Sequence, residues 1–392
     1  MIPFDFQLGT RIVFGPGVIE RLGELATELG GRRVIVVSDP GVVAAGHTAR
    51  GIASLEHSGL TTILFDQVHP NPTTDDVEAC HRAARDFRPD LIVGLGGGSS
   101  MDCAKGLNFV YTNGGRMQDY WGVGKARRDM LPMIAVPTTA GTGSETQSFA
   151  LISDAETHVK MACGDRRATC RIALLDPELT RTQPSHVTAV TGIDAVAHAI
   201  ETFVTKPRNG MSELFSRESW RLLSKHFPHV LEDPDDLEAR AAMQLGATFA
   251  GVAIENSMLG AAHALANPLT ARYGVVHGQA VALMLPHVVR YNAAVCEGRY
   301  AELVHLVDSP PSASAEDRPD DQPADQPAGL RLAQWLESTR QRAGLRSGLR
   351  EFEIPHSALP QLAEEASRQW TATFNPRPVD AESLEQLYEA AW

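Results

Sequence analysis

The chain reads as two dissimilar halves: an α/β amino-terminal domain built on a parallel sheet, then an all-α carboxy-terminal domain. Short β-branched runs alternate with helix-compatible segments up to about residue 178, and such runs largely disappear beyond it. At 392 residues the chain also exceeds a comfortable single core, which makes two domains the default. The expected division is 1–178 and 179–392, with the boundary near Pro177–Thr180.

FGPGVIERLGELATEL (14–29) places Pro16 near a first turn and apolar residues at helical spacing, which predicts a helix. RVIVVS (33–38) is a β-branched strand candidate, closed by the turn residues Asp39, Pro40 and Gly41. TTILF (61–65), LIVGL (91–95) and MIAVP (133–137) repeat the pattern. Short apolar strands alternating with helices imply a parallel sheet covered on both faces. Past the boundary, helical periodicity dominates 187–204, 211–226, 236–251, 258–267, 278–291 and 329–343. SPPSASAEDRPDDQPADQPAG (309–329) is rich in Pro, Asp, Ser and Ala and nearly free of large apolar residues. Such a segment buries too little surface to offset its ordering entropy, so a mobile insertion between helices is expected.

Composition sets outer limits. Hydrophobic content of 43% and charged content of 21% are ordinary for a globular chain. A net charge of −13, from 48 acidic and 35 basic residues, disfavours nucleic acid as the main partner. It leaves room for a phosphorylated cofactor, because backbone amides bind phosphate locally. The five cysteines are scattered and form no CxxC pair, which favours a reducing compartment. The amino terminus lacks a basic region followed by an apolar signal core, and no apolar run approaches the length of a membrane span. A cytoplasmic protein without a membrane partner is expected.

GLGGGSSMD (94–102) follows the strand candidate LIV and precedes a helix-compatible stretch. Gly96, Gly97 and Gly98 permit close backbone approach, while Ser99 and Ser100 can cap a helix whose free N–H groups would face a pyrophosphate. The usual dinucleotide fingerprint places an acid about twenty residues downstream. Here the candidate ribose acceptor, Asp39, lies upstream at the end of the first strong strand; it is also a plain turn-starting residue by pattern. In the ribose role its charge would repel a 2′-phosphate and favour NAD over NADP. PTTAGTGSE (137–145) leaves another strand with Thr138, Thr139, Thr142 and Ser144 in eight residues, a loop suited to a cofactor's ribose or phosphates.

TGIDAVAHAIETFV (191–204) is apolar on nearly all sides of a helix, yet it carries Asp194, His198 and Glu201. Residues four apart share a face, so Asp194 and His198 can simply bond each other. A second reading joins them to His263 in GAAHALANPLTARYGVVHG (260–278) and to His277 at its end. One carboxylate and three imidazoles would suit a first-row divalent metal with a position left for a substrate oxygen. Spacing alone leaves both readings open.

Taken together, GGGSSMD, PTTAGTGSE, GIDAVAHAIE and the His263–x13–His277 segment resemble the iron-containing (group III) alcohol dehydrogenase family. The likeness runs from FGPG at 14–17 through NPRP at 375–378 to the closing EAAW, with only 309–329 outside it. It implies the dehydroquinate synthase-like fold of that family, with an α/β dinucleotide-binding domain, a helical domain and a site in the cleft between them. It implies Asp194, His198, His263 and His277 as ligands of one divalent metal, typically Fe2+ and in some members Zn2+. It further implies Asp39, Asn71, Gly97, Gly98, Ser99, Thr138, Thr139, Thr142 and Lys160 around NAD(H), and homodimers or larger homo-oligomers. Phe149 is a candidate for the substrate pocket. So is Asn267, where several members carry a second histidine. Asn can hydrogen-bond but cannot exchange a proton near neutral pH. The implied reaction interconverts a primary alcohol or small hydroxy compound and its aldehyde. A metal- and NAD-dependent lyase of the dehydroquinate synthase type and a non-catalytic NAD- or metal-binding protein are the alternatives. Glu201 is expected behind the ligands or as a structural partner.

Overall fold

A computed structural model describes residues 3–308 and 326–392. Its strands are β1 (Arg11–Phe14), β2 (Arg33–Val37), β3 (Thr61–Phe65), β4 (Leu91–Gly96), β5 (Gly122–Val123), β6 (Met133–Pro137), β7 (Phe149–Ser153), β8 (Lys160–Gly164) and β9 (Ile172–Leu175). The helices of the first half are α1 (Leu22–Glu28), α2 (Pro40–Ala44), α3 (His47–His57), α4 (Thr74–Phe87) and α5 (Gly98–Asn113). Those of the second are α6 (Ser185–Val204), α7 (Gly210–Glu232), α8 (Leu237–Ser257), α9 (Ala261–Tyr273), α10 (His277–Asp308), α11 (Ala328–Arg342), α12 (Leu359–Ser367) and α13 (Ala381–Ala391). Among the described residues no strand follows β9, so the expected change from α/β to all-α texture is present.

The main sheet is six-stranded, parallel throughout, in the order β1-β9-β6-β4-β2-β3. Its strands are apolar on both faces because both faces are covered. Ile35, Val37, Ile92, Met133 and Ala135 enter one core cluster. Their neighbours Val34, Val36, Leu91, Val93, Ile134 and Val136 enter the other. Between β2 and β4 the winding reverses, since β3 lies on one side of β2 and β4 on the other. In open parallel sheets that reversal leaves a crevice at the carboxyl ends of the strands. A small second sheet has the order β5-β8-β7.

Contacts divide the chain into two compact units. One holds Gln7–Pro184 together with Asp235–Glu255, so most of α8 packs with the sheet. The other holds the described residues before Gln7, Ser185–Pro234 and the described part of Asn256–Trp392. The division falls a few residues beyond the expected boundary, and α8 crosses it because Thr248 bonds the Glu145 carboxylate and Glu255 accepts from Ser148.

Two local expectations shift. The helix expected over 14–29 begins only at Leu22, after β1 and a single 3-10 turn; Gly17, at φ 73, holds the chain out of the helical region. The helix expected over 258–267 starts at Ala261, because Met258 stands at φ 62. The segment expected as a mobile insertion, 309–329, lies outside the described residues apart from its last few, where α11 begins. Helix α6 is long and apolar enough to cross a membrane by composition, but 83% of that window is buried inside the protein, which makes it a core helix.

Candidate active site

The crevice between β2 and β4 gathers most of the expected cofactor residues. Asp39 caps α2, its Oδ1 accepting from the N–H groups of Gly41 at 3.0 Å and Val42 at 3.1 Å. Its Oδ2 accepts from Ser100 Oγ at 3.0 Å, which ties the end of β2 to the start of α5. Two carboxylate oxygens offer about four lone-pair sites, so acceptor capacity remains. Gly96, at φ +156, turns the chain from β4 into α5; a Cβ there would stand 2.4 Å from Ser100 Oγ. Gly97 and Gly98 follow beneath the loop after β6. A Cβ on Gly98 would lie 2.7 Å from the Thr142 methyl, and one on Gly97 would lie 3.4 Å from that of Thr139. The Asn71 N–H donates to Ser99 Oγ at 3.2 Å, bringing a third segment to the same place. Thr138 follows the last residue of β6, its N–H donating to Gly96 O at 3.0 Å. This cradle of bare backbone and hydroxyls, at a helix amino end, fits a dinucleotide's phosphates.

Lys160 and Phe149 sit in the small sheet instead. Lys160 opens β8 opposite Ser153, and the Phe149 ring lies against Gly164, where a Cβ would come within 2.4 Å of it.

The second cluster belongs to the helical unit. Asp194 and His198 stand one turn apart on α6, His263 is in the first turn of α9, and His277 opens α10. Asp194 Oδ1 lies 3.5 Å from His198 Nε2, 3.3 Å from His263 Nε2 and 3.9 Å from His277 Nε2. Donors about 2.1 Å from one tetrahedral ion are separated by about 3.4 Å, so these spacings fit a shared cation. The rings agree: His198 stacks on His263 at 4.8 Å, and His263 meets His277 at 5.4 Å.

The donor chemistry tests the fit further. His263 Nδ1 donates to Glu201 Oε2 at 2.5 Å, which leaves the Nε2 lone pair of the neutral ring facing Asp194 Oδ1. Both atoms are buried and neither has a hydrogen-bond partner among the described residues. With the ring neutral, two lone pairs aimed at each other in an apolar setting repel, so the pair calls for a positive charge between them, a metal ion or, failing that, a proton. Without a bound metal ion, burial resists charge on His263, but Glu201 and Asp194 outweigh it and raise its pKa to about 9, so a proton would take that place at neutral pH. Burial likewise opposes the Asp194 carboxylate, yet the imidazoles of His198, His277 and His263 press it well below the usual range. The cluster gathers negative charge that a cation would balance.

Glu201 completes the support, its Oε1 accepting from the Ala262 N–H at 2.7 Å. Asn267, one turn beyond His263, donates from Nδ2 to Gln369 Oε1 at 3.1 Å. One polar residue near the cradle escaped the reading of motifs: Lys105, fully buried in α5, bonded to Ser144 and Phe149. Its signal was a lysine placed seven residues after Gly98 in the otherwise apolar stretch CAKGLNFV.

With this geometry in view, comparison with known proteins is specific. The family model described as iron-containing alcohol dehydrogenase matches residues 9–177, and the model of that family's C-terminal domain matches 188–392. The NAD-dependent methanol dehydrogenase of Bacillus methanolicus is 30% identical over 391 residues, covering 99% of each chain. The crystal structure of a 1,3-propanediol oxidoreductase superposes with a TM-score of 0.93 at 29% identity over 100% of both chains. The sulfoacetaldehyde reductase of Bifidobacterium kashiwanohense, solved with NAD+, superposes at 0.88 with 26% identity, covering 100% of this chain and 99% of that one.

Proposed function

The chain belongs to the iron-containing alcohol dehydrogenase family, and from that footing we propose that Asp194, His198, His263 and His277 together hold its one divalent cation. The enzyme is a metal-dependent, NAD(H)-using oxidoreductase that interconverts a primary alcohol or small hydroxy compound and its aldehyde. One observation supports the ligand reading above the rest: Asp194 Oδ1 and His263 Nε2, both buried and without hydrogen-bond partners, face each other at 3.3 Å. Fe2+ is the expected ion, and Zn2+ accepts the same donors.

What the cation supplies when bound is Lewis acidity toward an alcohol or carbonyl oxygen. The chain does the rest. Asp194 contributes one negative charge and the three imidazoles contribute neutral donors, so the site keeps net positive charge where an alkoxide would develop. Glu201 sets the tautomer of His263 and turns Nε2 toward Asp194. NAD(H) carries the hydride. Asp39, Asn71, Gly97, Gly98, Ser99, Thr138, Thr139, Thr142 and Lys160 are assigned to hold it, with Asp39 accepting from the adenosine ribose. Asn267 and Phe149 are assigned to the substrate side. Asn267 could orient a substrate by hydrogen bonding, but its amide has no proton to exchange near neutral pH.

The deciding experiment is His263→Ala, assayed with metal analysis and NADH binding. Loss of bound metal and of turnover, with NADH binding kept, is expected. A purified variant retaining both would remove His263 from the ligand set. Net NADH formation from alcohols separates a dehydrogenase from a lyase that uses hydride transiently.

A cytoplasmic homodimer or larger assembly extends the reading. β1 is an edge strand of the main sheet, its last residue Phe14 is 40% exposed, and sheet edges are a common place for pairing in assemblies. Sedimentation at micromolar concentration tests it; a monomer would count against this extension alone.

A further inference from the structure

Lys105 takes no part in the reaction outlined above, yet it is wholly removed from solvent. Burying an ammonium is costly unless each of its protons finds an acceptor. Here all three do: Nζ donates to Ser144 O at 2.6 Å, to Ser144 Oγ at 2.8 Å and to Phe149 O at 2.9 Å. Ser144 Oγ in turn donates a hydrogen bond to Asp102 Oδ1 at 2.8 Å, one turn before Lys105 on the same helix. No proton is left over for a substrate. The side chain holds something in place instead.

What it holds is the segment between β6 and β7. Ser144 lies in the middle of that connection and Phe149 opens β7, so one ammonium fixes two points of it. Thr142 follows from the same anchor: the Ser144 N–H donates to Thr142 Oγ1 at 3.3 Å, and Gln147 Nε2 donates to Thr142 O at 2.7 Å. The Thr142 methyl in turn occupies the space a Cβ on Gly98 would need. Gly98 and Lys105, two turns apart on α5, therefore reach one loop from two directions. The first touches its Thr142 face and the second pins its far end.

We infer that Lys105 is a positioning residue for the dinucleotide site, its ammonium fixing the 142–149 segment so that Thr142 closes the cradle against Gly98. The inference rests on the proposed cofactor role of that cradle. Arginine could not replace it, because a planar fork cannot aim at three convergent oxygens in so small a space.

Lys105→Met, which keeps the length of the stem, tests the claim on the metal-loaded enzyme. NADH binding, read by fluorescence, is expected to weaken about tenfold or more, as for loss of a preorganised site. The KM for NAD should rise with it, while kcat at saturating NAD and metal content stay close to wild type. A residue needed only for stability would lower the melting temperature and leave NADH affinity of the folded protein unchanged. That result overturns the inference. Ser144→Ala keeps the charge and removes one acceptor, so it provides the same reading if Lys105→Met does not fold. Weaker NADH binding is expected, and unchanged binding overturns the inference. Gly98→Val separates the two levels, since its side chain would fill the cradle. If Gly98→Val binds NADH normally, the cofactor reading fails and this inference with it. If Gly98→Val loses binding while the other two variants do not, only the role of Lys105 fails.

Discussion

His263 is engaged at both ring nitrogens, and the two engagements differ in kind. Nδ1 has a strong anionic acceptor in Glu201, while Nε2 meets only the Asp194 oxygen that is itself unsatisfied. The pairing makes Glu201 the residue that decides which nitrogen is offered to a metal. Glu201→Gln keeps the volume but loses the charge, and one amide oxygen must then serve both the Ala262 N–H and the His263 ring. Metal affinity, measured by chelator competition, should fall about 10- to 100-fold, the usual cost of losing such a partner. Affinity equal to wild type would show that packing alone orients the ring. Asp39 carries a separate expectation. Asp39→Ser removes the repulsion of a 2′-phosphate, and the NAD-over-NADP ratio of kcat/KM should drop by about tenfold or more, given one like-charge contact removed. His287 predicts acid sensitivity. Burial and the Arg290 charge lower its pKa to about 4, against about 6.5 in an unfolded chain. The unfolded state therefore takes the proton first, and stability is lost as pH falls from 6.5 toward 4, on the order of 3 kcal/mol at most. His287→Gln should flatten that part of the pH–stability curve. An unchanged slope in urea titrations would assign the acid loss elsewhere.

The ligands converge because helices meet closely, and one contact sets the closeness. A Cβ on Gly278 would stand 1.9 Å from Val190 O, so the first turn of α10 rests directly on the backbone of α6. His277 is the preceding residue. Gly278→Ala must push α10 away from α6, since backbone cannot turn aside as a side chain can. Overpacking of this kind costs about 1–3 kcal/mol. Here it should also draw His277 from Asp194, so metal retained after dialysis against a chelator should fall even where circular dichroism shows the helices intact. Full retention would mean that α10 adjusts elsewhere. That contact also shows where the sequence stops speaking. Helical period and the strand-helix alternation were local signals, and β2, β3, β4, β6 and the long helices were readable from them. The glycine turn and the Asp194–His198 pair were readable too, because a charge in an apolar helix is conspicuous by itself. β1, β5 and β9 were not, being only two to four residues long, nor were β7 and β8, where Ala, Ser, Lys and Gly interrupt any β-branched run. Nor was the grouping of α8 with the sheet, which depends on Thr248 reaching Glu145 across more than a hundred residues of chain. Lys105 lay in plain view, but its partners at 144 and 149 exist only once the loop has folded over α5.

The proposed cofactor and metal residues fall in different compact units, which would make the two ligands' effects on stability separable. The cradle residues Asp39 to Thr142 fall in the unit of Gln7–Pro184, and Asp194 to His277 fall in the other. Anything that binds a folded unit and not its unfolded chain stabilises that unit by mass action, by about 4 kcal/mol at a thousandfold excess over Kd. For units of this size, about 1 kcal/mol moves the melting temperature by roughly 2–4 °C, so saturating metal should raise melting by on the order of 10 °C. The gain belongs to the unit whose folded state assembles one carboxylate and three imidazoles; dispersed along an unfolded chain, those donors bind the ion weakly. Hydrogen exchange localises the effect. Stripping the metal should speed exchange in α6, α9 and the start of α10, while NAD should slow exchange around β2, β4 and the start of α5. His263→Ala is the control, because it removes one donor and leaves the cradle unchanged; its melting temperature should ignore added Fe2+ and still respond to NAD. Protection spread evenly over both units on adding metal would mean that they unfold as one, and the separate assignment of the two ligands by stability would fail.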